Sequence, residues 1–123
     1  MNRFAALLLS LASWNAFADA SDQSLLQACI GCHAARVSDL EGIGPSLVGI
    51  INRPVGSLPG YPYSGALAEA DFIWTIDTLR VWIQHTESMR PGTFMRYNNN
   101  LNEAEIERLL TLLRESPSYI EGD

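Results

Sequence analysis

The sequence contains no lysine, and all eight of its basic residues are arginines. Fourteen acidic residues outweigh them, which leaves a formal net charge of −6 at pH 7. A protein that binds nucleic acid needs clustered positive charge against the phosphates, and the sequence has no basic cluster. Nucleic-acid binding is therefore excluded as a function.

Long apolar runs are absent as well. No stretch reaches the roughly 18 consecutive apolar residues that a membrane-spanning helix needs, so no integral membrane span is expected. With 123 residues, 47% of them apolar and 18% charged, the chain is predicted to form one small globular domain. Side chains suited to metal or redox chemistry are few, namely two cysteines and two histidines.

Residues 1–20 have the pattern of a secretory signal peptide. Arg3 gives a positive start, the apolar run FAALLLSLA follows, and small residues come next. We predict cleavage after Ala18 or Ala20 and a mature domain of residues 21–123, the alternative being an ordinary buried N-terminal helix. The protein is thus predicted to be exported, and periplasmic if its source is a Gram-negative bacterium. Free cysteines seldom persist in such a compartment without a function.

Apolar spacing predicts three main helices in the mature domain. The first spans Ser21–Gly31, and the second spans Thr75–Ser88 and is stopped by Pro91-Gly92. A third begins after Asn102, which can form a capping box with Glu105. Its apolar stripe comprises Ile106, Leu109, Leu110, Leu112 and Leu113 and ends at Ser116-Pro117. The pattern indicates an all-α protein of three to four helices.

The stretch from Gly31 to Gly65 is rich in glycine and proline and predicts a long ordered loop. A loop of roughly 35 residues in so small a domain needs something to fold around. A core of this size also tends to need a cofactor or a covalent cross-link. The sequence therefore points to a bound group.

Cys29, Cys32 and His33 form a C-x-x-C-H motif, which is typical of covalent haem attachment. The two thiols can each bond one vinyl group of a porphyrin, and the adjacent imidazole can ligate the iron. Three alternatives remain open: a structural disulfide, a thioredoxin-like redox pair and a zinc site completed by His85. None of the three accounts for the long loops.

A haem iron takes a sixth ligand or keeps an open position, and the mature chain offers three candidates. Met95 lies after the turn Pro91-Gly92, in an extended segment that can hold its sulfur toward a flat cofactor. Met89 lies near a predicted helix end and is expected to pack in the core. His85 is expected to be a surface or otherwise satisfied histidine. Met95 is therefore the predicted ligand.

With these motifs the chain resembles the class I c-type cytochromes, of the mitochondrial and α-proteobacterial type. The resemblance spans the mature domain except its last residues and rests on Cys29–His33, Gly44-Pro45-Ser46-Leu47, Gly60-Tyr61-Pro62-Tyr63, Trp74 and Pro91–Met95. It implies helices and long loops wrapped around one covalent haem c, and one-electron transfer rather than enzymatic catalysis.

The resemblance also implies roles for individual residues. Cys29 and Cys32 would hold the haem, and His33 and Met95 would ligate its iron. Pro45 would accept a hydrogen bond from the His33 ring. The residues expected near a buried propionate are Arg53, Tyr63, Trp74 and Thr93. Trp82 stands where the family usually has a tyrosine beside the methionine sulfur, so that contact is either lost or made by the indole N–H.

The lysine collar, the ring of lysines that surrounds the exposed haem edge in the family, has no counterpart here. Its positions fall on Ala28, Gly42, Glu87, Phe94, Leu101 and Asn102. The expected redox partners are therefore not of the kind that recognises a lysine collar, although Arg90 and Arg96 flank the Met95 segment. Two other functions stay open: a monohaem electron-accepting subunit of a periplasmic dehydrogenase and a haem protein that binds gases or peroxide.

Overall fold

The computed structural model describes residues 20–33 and 43–115. Four α-helices occur in these ranges, namely α1 (Ala20–Ile30), α2 (Gly65–Ala68), α3 (Ile76–Met89) and α4 (Glu103–Glu115). The same residues contain no β-strand and only two isolated bridges, His33 with Gly44 and Pro54 with Ile73. The predicted all-α fold of three to four helices and long loops is confirmed.

Two predictions concern residues outside these ranges. The predicted signal peptide lies outside the described residues except for Ala20, the first residue of α1. The predicted helix end at Ser116-Pro117 also lies outside them, and α4 is described as far as Glu115.

The α4 helix begins at the capping box that its sequence predicts. The Asn102 backbone N–H donates to Glu105 Oε2 at 2.8 Å, and the Glu105 backbone N–H donates to Asn102 Oδ1 at 3.0 Å. All five residues of the apolar stripe are buried, which places α4 at the centre of the core. It packs against both α1 and α3.

The α1 helix crosses α4 through one apolar and one ionic contact. Leu26 is buried in the core. The buried carboxylate of Asp22 accepts two hydrogen bonds from the Arg108 guanidinium of α4, in the two-pronged geometry that arginine and carboxylates favour. Apolar spacing places Ile30 on or near the face of α1 that carries Leu26. Ile30 is nevertheless exposed, since it is the last residue of the helix. The crossing fixes the end of α1, which carries the cysteine motif.

The α3 helix begins within one residue of its predicted start. The Thr75 side chain accepts from the Thr78 backbone N–H, and the Thr78 side chain accepts from the Thr75 backbone N–H. The buried face comprises Leu79, Trp82, Ile83 and Thr86. His85 has non-helical dihedral angles, φ −142° and ψ 46°, so the helix is kinked in its last third.

The loop before α3 is ordered by backbone pairing with the segment that leads into that helix. The Asn52 N–H donates to Trp74 O at 2.8 Å, Trp74 N–H to Arg53 O at 2.9 Å, and Val55 N–H to Phe72 O at 2.9 Å. Gly56 adopts φ +65°, and a Cβ there would lie 2.8 Å from a backbone oxygen of α2, so only glycine fits. The predicted ordered loop is present wherever the structure describes it. No helix among the described residues has the length and apolar character to cross a bilayer.

Candidate haem-binding site

The three residues of the C-x-x-C-H motif come together where α1 ends. The carbonyl of Cys29, in the last turn of α1, accepts from the backbone N–H of Cys32 at 3.1 Å and of His33 at 2.9 Å. Both cysteines are free thiols. Burial, with a smaller contribution from Cys32, raises the pKa of the Cys29 thiol to about 11, so it is protonated at neutral pH. One tight turn therefore presents two thiols and an imidazole.

The His33 ring is oriented by a backbone carbonyl. Its Nδ1 lies 2.7 Å from Pro45 O, and because a carbonyl oxygen only accepts, the proton resides on Nδ1. Burial lowers the pKa of His33, and the bond to Pro45 opposes that effect in part. The neutral ring is thus favoured with Nε2 unprotonated, which is the form that ligates a metal.

Gly44 is a further site residue, which the sequence marks only as part of the motif Gly44-Pro45-Ser46-Leu47. The Gly44 N–H donates to Cys32 O at 2.7 Å, which brings its backbone against the imidazole. A Cβ at this position would lie 2.6 Å from Cε1 and Nδ1 of His33, closer than atoms approach. Only glycine therefore allows His33 to reach Pro45. The sequence signal was the glycine directly before that proline.

Met95 and Trp82 are in contact, which decides between the two outcomes predicted for Trp82. The indole N–H donates to Met95 Sδ at 3.3 Å. Trp82 is buried on α3, whereas Met95 is half-buried in a segment without regular structure. The indole N–H thus takes the place of a tyrosine hydroxyl beside the sulfur. A thioether accepts only weakly, so one of its lone pairs remains for a metal.

Arg53 is linked to both Tyr63 and Trp74. The Arg53 guanidinium donates to the carbonyl oxygens of Ser46 and Val48. Its burial lowers the pKa of Arg53, and the nearby Tyr63 acts in the opposite direction. Arg53 and Trp74 are joined by the backbone hydrogen bond described above.

The Arg53 guanidinium still has donors to offer. It carries five N–H groups and uses them on carbonyls, and no carboxylate of the described residues forms an ion pair with it. The Tyr63 hydroxyl accepts from the Leu58 backbone N–H at 3.2 Å, so its own hydrogen also remains available. A half-buried cation without an anion partner suits a carboxylate supplied by a bound group.

Ser64 is a buried polar residue that no sequence motif marks. It follows Tyr63 directly and is buried, and its hydroxyl has no hydrogen-bond partner among the described residues. An unpaired buried hydroxyl costs about 1–3 kcal/mol, so such groups usually meet a ligand or a water molecule. A serine before a glycine-led helix ordinarily indicates an N-cap, yet its side chain makes no cap hydrogen bond here.

Thr93 is buried beside Met95, and its hydroxyl accepts from the Met95 backbone N–H at 3.4 Å. It therefore holds the turn before the methionine, and its hydroxyl hydrogen stays available for the propionate contact that the resemblance implies. Met89 packs against the core, as predicted, and His85 is exposed on α3, also as predicted. Neither is brought to the cysteine motif by a contact that the structure describes.

The alternatives to haem lose their structural support. The two cysteines form no disulfide. The described residues contain no strands for a thioredoxin-like arrangement. Among the same residues, no three or more His, Cys, Asp or Glu side chains cluster in a way that would hold a metal ion. A zinc site built on His33 and His85 is therefore not supported.

The comparisons with known proteins agree with this geometry. The chain is 42% identical over 72 residues to cytochrome c2 of Rhodopila globiformis, an alignment that covers 56% of this chain and spans 64% of that protein's length. It is 30% identical over 96 residues to cytochrome c-550 of Bradyrhizobium diazoefficiens, covering 78% and 71% of the two chains. No family model matches the sequence.

Among solved structures, cytochrome cH from Methylobacterium extorquens has the same fold, with a TM-score of 0.70 at 23% identity over 79% of this chain and 97% of that one. The fold is thus that of the class I cytochromes c, a class of small helical proteins. The chain belongs to the class I c-type cytochromes, which are electron carriers and not enzymes.

The family implies a covalently bound haem c, and the residues present fit that group. The chain offers two free thiols at the attachment spacing, an imidazole with Nε2 available, and a half-buried thioether beside Trp82. Among the described residues, Arg53 has no carboxylate partner and the buried hydroxyl of Ser64 has no hydrogen-bond partner. The thiols can bond to the vinyl groups of a haem, and the imidazole and the thioether can ligate its iron. The guanidinium and the hydroxyl can donate hydrogen bonds to its propionates.

Proposed function

We propose that this cytochrome is an exported one-electron carrier with a single haem c, attached through Cys29 and Cys32 and ligated by His33 and Met95. The observation that carries the proposal is the bond from His33 Nδ1 to Pro45 O, which leaves Nε2 free for a metal. A bound haem supplies the redox chemistry, because its iron takes up and gives up one electron. The chain itself binds, orients and shields that group.

The proposed roles divide between two groups of side chains. Pro45 holds the imidazole in one orientation and raises its basicity as a ligand. Trp82 holds the Met95 thioether by its indole N–H. The haem propionate is proposed to be bound by Arg53, Tyr63, Trp74, Ser64 and Thr93. Guanidinium, hydroxyl and indole groups can all donate to a carboxylate, and only the first also neutralises its charge.

Export is proposed from residues 1–20, whose pattern is that of a signal peptide. The mature domain then comprises residues 21–123, with cleavage after Ala18 or Ala20. Haem attachment to two thiols needs them reduced when the chain meets its cofactor. A chain with two cysteines, both used in one motif, leaves no free thiol in the oxidising periplasm.

The intact mass of the exported protein tests attachment and cleavage together. We expect a chain that begins at Asp19 or Ser21 and carries the added mass of one haem, when the host exports proteins and has the maturation machinery. A redox titration followed by absorption should fit a one-electron curve. A mass without haem, or with residues 1–20 retained, would contradict the proposal.

Carbon monoxide distinguishes this function from that of a gas- or peroxide-binding haem protein. If Met95 occupies the sixth position, the reduced protein should bind carbon monoxide only slowly and incompletely at neutral pH. Immediate and complete binding would indicate an open position and would favour the alternative. The Met95→Ala variant is the positive control for such binding.

The partner surface is proposed to be mainly apolar and to centre on Phe94. Phe94 is 75% exposed directly beside Met95, where the lysine-collar family has a basic residue. Little positive charge is left nearby. Arg96 forms an ion pair with Glu87 at 3.3 Å, and Arg90 is half-buried and donates to Ala66 O at 2.9 Å. Arg90 or Arg96 is proposed to give modest electrostatic help beside the apolar contact.

An apolar contact surface suits a redox protein that excludes water at the contact and depends little on charge. It also suits the second candidate function, a monohaem electron-accepting subunit of a periplasmic dehydrogenase complex. Gel filtration of the native protein separates the two, because a subunit elutes with its partner whereas a free carrier elutes as a monomer.

Phe94→Lys is expected to slow electron exchange with the native partner by about tenfold, since burying a phenylalanine side chain contributes roughly 1.5–3 kcal/mol. The same variant should speed exchange with an acidic foreign partner, because it adds one collar charge. Val81→Lys is the matched control, since Val81 is also exposed but lies on α3. The measurement is the second-order rate constant at low and physiological ionic strength.

A wild-type rate that falls more than about tenfold over that range of ionic strength would contradict an apolar surface, because exposed charges more than about 8–10 Å apart are screened by salt. A neutral effect of Phe94→Lys would contradict the placement of the surface. Equal decreases of the rate constant in Phe94→Lys and Val81→Lys would also contradict the placement of the surface.

A further inference from the structure

The segment that carries Met95 has no regular structure of its own. Residues 91–102 join α3 to α4 without a helix or a strand. Its position therefore depends on the packing of Met95, Tyr97 and Leu101 against the core and on side-chain hydrogen bonds to α3. Two of these bonds involve buried residues of α3, one from Trp82 to Met95 and one from Asn99 to Ile83, and a third joins the exposed side chains of Arg96 and Glu87.

Asn99 is the middle residue of three consecutive asparagines and the half-buried one. Its Nδ2 donates to Ile83 O at 2.9 Å, and its Oδ1 accepts from the Leu101 backbone N–H at 3.0 Å. Asn98 and Asn100 are both exposed. The amide of Asn99 thus donates to a carbonyl of α3 and accepts from an N–H of its own segment, which only an amide side chain of this length does at once.

The carbonyl that Asn99 contacts lies just before the kink of α3. Two successive carbonyls there accept side-chain donors, Trp82 O from the Thr86 hydroxyl and Ile83 O from Asn99. The kink at His85 follows directly. Side-chain donors that enter the hydrogen bonds of a helix are a recognised cause of such kinks. The hydrogen bond from Asn99 therefore joins the Met95 segment to α3 directly before the kink of that helix.

Trp82 and Ile83 are neighbours, so the two bonds from α3 to the segment begin on the same turn. One bond ends at the sulfur of Met95 and the other ends four residues later. Together they tie both sides of the stretch from Met95 to Asn99 to one turn of α3.

We infer that Asn99 is a positioning residue that holds the Met95 segment against α3 and so keeps the thioether in place as a ligand. The inference rests on the proposed ligation by Met95. Asn99 itself touches neither the ligand sulfur nor the cysteine motif in the described contacts. It acts through the carbonyl of Ile83 and the chain between positions 95 and 99.

Two measurements on the holoprotein test this role. The first is amide hydrogen exchange of residues 95–101, which reports how often the segment leaves α3 and can be measured whatever group ligates the iron. The second is the affinity of the oxidised protein for imidazole, which competes with Met95. In Asn99→Ala both should increase, by about two- to tenfold, which corresponds to one lost hydrogen bond.

Asn98→Ala and Asn100→Ala are the matched controls and should leave both quantities within about twofold of wild type, as expected for exposed surface positions. Asn99→Asp keeps the acceptor for Leu101 but removes the donor to Ile83 O. It should behave like Asn99→Ala and provides the test if the alanine variant does not fold.

Exchange and imidazole affinity that match those of Asn98→Ala would overturn the inference. So would faster exchange without a change in imidazole affinity, provided that Met95→Ala itself raises that affinity. If Met95→Ala does not raise it, the proposed ligation is wrong, and exchange alone then decides whether Asn99 holds the segment. Failure of the two proposals is thereby distinguishable.

Discussion

Replacing Cys29 and Cys32 together by alanine is expected to yield a chain that loses its haem completely in acid-acetone extraction and folds poorly. Without the thiols no covalent bond can hold the group, and only the ligands remain. The core is small and the loop from residue 43 to 64 is long, so the fold depends on what it surrounds. Absorption of the extracted fractions and far-ultraviolet circular dichroism measure the two effects.

Ile30→Ala is the control for this variant. Ile30 lies between the cysteines and is exposed, so its truncation should leave haem retention and folding nearly unchanged. A double variant that keeps its haem through acid-acetone would contradict attachment through the two thiols. A wild-type protein that is folded and colourless after export in a competent host would do so more directly.

The second large effect is expected from Met95→Ala. It should abolish the weak sulfur-to-iron charge-transfer band of the oxidised protein. It should also lower the reduction potential by on the order of 100 mV, because thioether ligation raises the potential within the roughly 0.8 V range that axial ligands cover. Spectroelectrochemistry of the purified holoprotein measures both quantities in one experiment.

Met89→Ala is the matched control, since Met89 packs against the core at the end of α3. We expect Met89→Ala to lower the free energy of unfolding by about 2–5 kcal/mol. The charge-transfer band and the reduction potential should stay nearly unchanged. If the two methionine variants behaved the other way round, the placement of the ligand on residue 95 would be wrong.

The helices were predictable because each carries its own local signals. The capping box at Asn102 and Glu105 and the stripe of leucines behind it depend on residues three and four apart. The same holds for α3, whose predicted and observed ends differ by one residue. Ile30 shows the limit of such patterns, because burial at the last residue of a helix depends on what packs there.

Candidate site residues were predictable to a different degree. Two of the motifs are contiguous in the sequence, namely C-x-x-C-H at Cys29–His33 and Gly44-Pro45. The family resemblance assigned the roles of their residues. Ser64 and Asn99 have no such motif. Their proposed roles rest on a buried hydroxyl that has no partner in the part of the chain that the structure describes and on an amide that meets a carbonyl sixteen residues earlier. No local pattern encodes either fact.

The sequence by itself determined the class of this protein, since the C-x-x-C-H spacing taken together with the motifs around Pro45, Tyr63, Trp74 and Met95 carries the family resemblance. Tertiary structure alone decided that the Trp82 N–H reaches the Met95 sulfur, that Gly44 makes room for the His33 ring, and that Arg96 forms an ion pair with Glu87. The reason is physical: these contacts join residues nine or more positions apart. Their distances depend on how the helices pack and the loops close, not on the neighbours along the chain.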